Sequence, residues 1–269
     1  MKSTRYSARH RPEPRQPTID SPDPSAPRLV LGLQSVRAAI RRHGRALAAV
    51  WLESDDNPRL QAVQRFASDH GVPRIEVVGR DQLARLSGGV LHQGVAAFAP
   101  ELAFQAFEPL LEEPSLLGIA LDRIQDPQNF GAVVRSAVGL NASCVIWGEH
   151  SSAPLGTTTA RASAGAVEFA RLCRVPSLPR ALTDAAQAGI QIVGLDAQAK
   201  SALHEVDLRR PSVLVIGSEH DGMTPAVRRA CTTLARLAGP SAVESLNASV
   251  AAAIALYECS RQRTGQSSV

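Results

Sequence analysis

From Leu29 onward, apolar residues follow two alternating rhythms. The stretch "LQSVRAAIRRHG" (33–44) repeats its apolar positions at helical spacing, which predicts an amphipathic helix closing at Gly44. "ALAAVWLE" (46–53) is nearly continuously apolar and predicts a strand. "NPRLQAVQRFASDHG" (57–71) predicts a helix, with Pro58 at its start and Gly71 just past its end. A strand in "RIEVVG" (74–79), a short helix in "DQLARLSG" (81–88) and a strand in "HQGVAAFAP" (92–100) complete a small α/β unit over 29–99. Residues 100–115, with Pro109 and Pro114, predict a linker.

The alternation restarts at 116 and runs to 265. "LLGIALD", "SCVIWG", "EFARLCRV", "GIQIVGLD", "SVLVIGSE" and "TLARLAG" predict strands, mostly separated by helices and followed by one long final helix. Strands apolar along their whole length, alternating with helices, predict an α/β fold with a mostly parallel sheet covered on both faces. Ligands of such sheets lie beyond the carboxyl ends of the strands. Three polar segments fall at that edge: 122–135, 217–222 and 237–249.

Composition refines this picture. Residues 1–28 are rich in proline and arginine and almost free of apolar side chains, which predicts a disordered basic tail. Hydrophobic residues make up 44% of the chain and aromatics only 4%, so the core falls to Ala, Val, Leu and Ile. Net charge is +4, carried almost entirely by arginine, the residue best suited to phosphates and bases. A polyanionic partner fits that balance, and so does a plain solvated surface. No apolar run reaches about 18 residues, so no membrane span is expected. The N-terminus lacks a secretory layout, and a cytoplasmic location is the expectation. Cys144, Cys173, Cys231 and Cys259 are widely spaced and suggest neither a zinc site nor a disulfide framework.

The three edge segments carry the candidate chemistry. In "LDRIQDPQNFGAVVRSA" (121–137), acids, an amide and an arginine crowd a strand–helix junction where packing requires none of them. Asn129 could simply cap the helix, and Arg135 could be a surface arginine. In "VIGSEHDGM" (215–223), Gly217 ends a strand and Glu219 follows; the spacing is neither G-x-G-x-x-G nor a Walker loop. In "ESLNASVAAAIALYECSRQR" (244–263), Ser245 and Asn247 precede an Ala-rich helix whose apolar positions 246, 250, 254 and 257 recur at helical spacing. The small residues 251–253 and 255 would let another backbone approach closely.

The order and spacing of these segments resemble the three signature motifs of the SpoU (TrmH-like) RNA 2′-O-ribose methyltransferases of the SPOUT superfamily. The resemblance covers 116–263, including "RASAGAVEF" (161–169). The 29–99 unit, with "LGLQSVRAAI" and "LHQGVAAFAP", is similar to the ribosomal-protein-like substrate-binding domain that precedes the catalytic domain in 23S rRNA guanosine 2′-O-methyltransferases of RlmB type. The resemblance implies a C-terminal trefoil knot, S-adenosyl-L-methionine as cofactor, no metal, and a homodimer with sites at its interface. It assigns Asn129, Arg135, Glu219, Ser245 and Asn247 to the catalytic site, and Gly217, Leu237, Gly239 and Leu246 to the cofactor. The implied substrate is RNA and not DNA, because the acceptor is a 2′-hydroxyl. rRNA is the expected class, with tRNA or a drug-binding rRNA loop as alternatives.

The sequence departs from the family pattern at one place. Where most members carry I-P-M, this chain has Leu237, Ala238 and Gly239, and Ser241 stands where many carry glycine. The missing proline and methionine predict a looser cofactor loop and weaker affinity. They also leave a rival reading: an RNA-binding member that docks on rRNA without methylating it.

Overall fold

The computed structural model describes residues 27–264, apart from 55, 150–152, 154 and 238–245. The basic tail therefore lies almost wholly outside the described residues. Its last residue does not: Arg28 opens a strand, β1 (Arg28–Leu31), which corrects the tail boundary. Four residues beside a proline-rich stretch are too few for periodicity to reveal.

The first sheet is built from β1, β2 (Ala49–Leu52), β3 (Ile75–Val77) and β4 (Val95–Ala99) in the order β1-β4-β2-β3. Helices α1 (Leu33–His43) and α2 (Pro58–Asp69) bury Val36, Ile40, Leu60 and Val63 against one face. Helix α3 (Arg80–Ser87) packs Leu83 on the other. Asn57 caps α2 by accepting the Arg59 N–H at 2.9 Å, and Pro58 occupies the first turn.

The segment 100–115 is not a free linker. Phe104 bridges to Leu172, the Gln105 N–H donates to the Leu172 carbonyl at 2.8 Å, and Phe107 and Leu110 are buried in the core of the second sheet. Arg174 lies over the Phe104 ring, 4.7 Å from its centroid. The prolines and acids of this stretch conceal an apolar face made by Phe104, Phe107, Leu110 and Leu111.

The second sheet is parallel throughout. It comprises β5 (Leu117–Leu121), β6 (Cys144–Gly148), β7 (Leu172–Val175), β8 (Gln191–Leu195), β9 (Ser201–Ala202), β10 (Ser212–Ile216) and β11 (Thr233–Arg236), ordered β7-β6-β5-β10-β8-β11-β9. Alternate residues of β5 serve opposite faces: Leu117, Ile119 and Leu121 join one core, while Ala120, with Leu116 just before the strand, joins the other. Helices α4 (Pro127–Gly139), α5 (Thr157–Ala162) and α8 (Ala248–Thr264) contribute to the first core; α6 (Leu178–Gln187) and α7 (Pro225–Ala230) contribute to the second. Burial on both faces is why the central strands β5, β6 and β10 are almost wholly apolar.

The strand expected over 168–175 begins only at Leu172. Gly165 adopts a left-handed conformation, and residues 166–168 form a tight helical turn before it. The trefoil knot implied by the resemblance depends on the path of 238–245, which lies outside the described residues.

Candidate functional site

In-register pairing of β5 with β10, ending at Ile216 opposite Leu121, brings Asp122 and Gly217 out side by side at the carboxyl edge. Asp122 is buried. Its N–H donates to the Ile216 carbonyl at 2.8 Å, and its Oδ2 accepts the Thr224 N–H at 2.6 Å. One carboxylate thus ties the first polar segment to the end of the second. Between these anchors, Ser218 and Gly222 exchange backbone hydrogen bonds of 3.1 and 3.0 Å, closing the loop that carries Glu219. A side chain at Gly217 would collide with this loop, since a Cβ there would lie 2.2 Å from the backbone of Gly222 and Met223. The glycine is required by the chain's own close approach. Arg123, in the left-handed region with φ 61°, reaches Asp221 at 3.6 Å across the same junction.

Helix α4 starts next to this loop. Its cap is Asp126, which accepts the Gln128 N–H at 3.0 Å, so Asn129 is not the capping residue. Asn129 instead donates from Nδ2 to Glu219 Oε1 at 2.6 Å and accepts at Oδ1 from Asn247 Nδ2 at 3.0 Å. Asn247 heads α8, where its Oδ1 accepts the Ser249 N–H at 2.9 Å. Chemistry fixes the direction of this chain of bonds. A carboxylate only accepts and a backbone N–H only donates, so both amides must point as they do. The acid and two amides come from three segments spread over more than a hundred residues.

The other expected site residues are less gathered. Arg135 lies six residues after Asn129, about 9 Å further along the helix and turned away from it by roughly a third of a turn. It is exposed and makes no hydrogen bond or ion pair among the described residues. Leu237 is half-buried against the first core, and Leu246 is exposed at the head of α8. Ser245 and Gly239 lie outside the described residues. Sequence reasoning missed the anchoring role of Asp122; an acid directly after an apolar strand was the available signal.

Near the loop, burial pushes the Cys231 thiol up to about 11, with Arg228 opposing and Asp122 adding to the shift. At neutral pH it behaves as a small apolar side chain, not as a nucleophile.

The exposed face of α8 carries Leu246, Val250, Ile254 and Tyr257, while Ala248, Ala252, Ala255, Leu256 and Cys259 turn inward. Two of the small residues expected to admit another backbone, Ala252 and Ala255, therefore pack inside this chain. The outward stripe is made of large apolar side chains.

Comparison with known proteins bears on what this edge does. Residues 117–257 match the model of the SpoU rRNA Methylase family, and residues 29–105 match that of the RNA 2′-O ribose methyltransferase substrate-binding domain. The chain belongs to the SpoU rRNA methylase family. It is 37% identical over 241 residues to the 23S rRNA (guanosine-2′-O-)-methyltransferase RlmB of Pseudomonas aeruginosa, covering 87% of this chain and 96% of that protein. An uncharacterized tRNA/rRNA methyltransferase of Mycolicibacterium gilvum is 37% identical over 242 residues, covering 87% of this chain and 76% of that one. Among solved structures, the SpoU methyltransferase AviRb of Streptomyces viridochromogenes superposes with a TM-score of 0.74 at 25% identity, covering 90% of this chain and 91% of its own. AviRb in complex with AdoMet gives a TM-score of 0.71 at 27% identity, covering 88% and 90%.

Proposed function

We propose that this chain transfers a methyl group from S-adenosyl-L-methionine to the ribose 2′-oxygen of a guanosine in 23S rRNA. The observation that carries the reading is the hydrogen-bonded chain Asn247–Asn129–Glu219 at the carboxyl edge of a parallel sheet. Family membership supplies the reaction class, and the RlmB relative supports the nucleotide.

The residues present fit the cofactor. Gly217, Leu237 and Leu246 lie on segments that leave or return to this edge, where the resemblance assigns their backbone to the cofactor, and Leu237 offers apolar surface suited to an adenine ring. Glu219 offers a negative charge to a cationic donor. The cofactor supplies a methyl group bound to a sulfonium. The chain's own residues have the rest to do: hold the ribose, aim its hydroxyl and tolerate the charge that develops on O2′. Such alignment can lower a barrier by on the order of 7–11 kcal/mol at best.

Arg135 is the candidate for aiming the hydroxyl. A guanidinium is a fixed cation in proteins, so it suits orientation through a neighbouring phosphate and stabilisation of O2′ better than proton acceptance. Its exposure leaves it open to RNA, and the released proton passes to solvent. Asn129 and Glu219 hold the inner wall of the site. Asn247 flanks it at the head of α8, and the family resemblance assigns Ser245 to the same site and Gly239 to the cofactor.

The assembly we propose is a homodimer. The stripe of Leu246, Val250, Ile254 and Tyr257 is apolar and exposed on the helix headed by Asn247, and a second copy of that helix is the simplest cover for it. Incubating the purified chain with labelled S-adenosyl-L-methionine and rRNA or tRNA, then mapping the label, tests the function. Label on a guanosine 2′-oxygen of 23S rRNA supports it; label confined to tRNA, or to a base, overturns the substrate or the chemistry.

A further inference from the structure

The segment 157–168 lies between the two α/β units, meeting α4 of the larger and α1 and β1 of the smaller. On one side it meets α4: a Cβ at Gly131 would approach Ala162 Cβ at 2.6 Å and the Thr159 carbonyl oxygen at 2.7 Å. On the other side it meets α1: a Cβ at Gly165 would lie 2.4 Å from Ala38 Cβ and 2.9 Å from Ser35 Cα. Ser35 Oγ donates to the Ala160 carbonyl at 3.1 Å. A single short segment is therefore wedged between the helix that carries Asn129 and Arg135 and the first helix of the small sheet.

At the end of this wedge stands Glu168, whose side chain is 0% exposed. The side chains that meet its carboxylate come from β1 and α1 of the small unit. Arg28 donates from Nη2 to both carboxylate oxygens at 2.8 and 2.7 Å, and His43 Nε2 lies 2.9 Å from Oε2. Arg42 donates from Nε to the Glu168 carbonyl at 3.2 Å. Arg28 also donates to the carbonyl of Pro100 at 3.4 Å, so the first and last strands of the small unit are pinned beside the same carboxylate.

Two units of one chain are ordinarily free to move unless their interface is large. A buried ion pair adds little net strength, because full separation returns every charge to water. Its effect is selective. Any slipped docking would leave Glu168 buried without Arg28, so one relative placement is favoured over its neighbours.

We propose that Glu168 is a positioning residue for the RNA: through Arg28 and His43 it locks the RNA-gripping unit to the wedge, and so fixes how far the gripped RNA stands from the catalytic edge. This rests on the methyltransferase reading for its meaning, though not for its test. Glu168→Gln keeps the shape and removes the charge, and Arg28→Met breaks the same contact from the opposite side. Filter binding of a 23S rRNA fragment reads the grip, transfer kinetics read KM and kcat, and amide exchange reads the docking.

For both variants we expect RNA affinity to fall about tenfold and KM for the RNA to rise in step. We expect kcat at saturating RNA and the affinity for S-adenosyl-L-methionine to stay unchanged. Amide exchange should quicken in 33–43 and 160–168 but not in 117–121 or 212–216, which shows that the fold persists. Arg28→Lys, which keeps the charge, should recover most of the loss. Unchanged exchange in both variants, or quickened exchange with unchanged RNA affinity, would overturn the proposal. A wild-type chain that transfers no methyl group would refute the enzymatic reading alone, since binding and exchange still report on the lock.

Discussion

Asn129 does work that its sequence position does not announce. An asparagine near a helix start is first a capping candidate, yet here Asp126 takes the cap and frees the amide to join Glu219 to Asn247. The types of the polar residues could be read from the sequence, but the division of labour between two neighbours in one turn could not. Asp122 is a second case, because only the Thr224 contact reveals it as an anchor. Asp122→Ala should leave the Thr224 N–H without its partner, at a cost of about 1–3 kcal/mol. A urea midpoint shifted by no more than experimental error would refute that role. Arg135→Ala should cut methyl transfer by at least about a hundredfold, a typical loss when a transition-state contact is removed. Calorimetric titration of S-adenosyl-L-methionine should be unaffected; retained full activity would remove Arg135 from the mechanism. Gly239→Met should tighten cofactor binding several-fold by restoring apolar contact, roughly 1 kcal/mol for a partly buried side chain. An unchanged or weaker dissociation constant would show that the departure at 237–239 does not govern affinity.

Elements were legible where periodicity was long and unmixed. The apolar strands at 117–121, 144–148 and 212–216 lie where their sequence puts them, because burial on both faces leaves no other composition. Legibility failed where apolar residues are sparse among prolines and acids, as in the segment containing Phe107, and where a glycine turn interrupts an apolar run, as at Gly165 before β7. Helix α8 was legible as a helix but not in its orientation. Alanines pack as well inward as outward, and only the fold decides that Ala252 and Ala255 face the core while Ile254 and Tyr257 face out. Ile254→Arg places a charge in the proposed dimer seam. Sedimentation should then show a monomer where the wild type is a dimer, with the helical content unchanged; a wild-type monomer would contradict the proposed assembly.

At the scale of the molecule, two α/β sheets are joined by a packed connector and a wedge, and Asn129, Glu219 and Asn247 gather at one edge of the larger sheet. Sequence alone told of two α/β units and of three polar segments at one edge. It could not tell which side chains would touch, since such contacts depend on strand order: β5 beside β10 is a tertiary fact that neither strand's sequence encodes. Nor could it reveal that Glu168 in one unit is paired with Arg28 of the other and lies beside its His43. The most direct test of the whole account is to map 2′-O-methylation at nucleotide resolution in 23S rRNA treated with the purified chain and S-adenosyl-L-methionine, beside the Asn129→Ala variant. The account predicts one methylated guanosine ribose with the wild type and little or none with the variant. Methylation that is absent with the wild type, or undiminished when the Asn247–Asn129–Glu219 chain is cut, would contradict it.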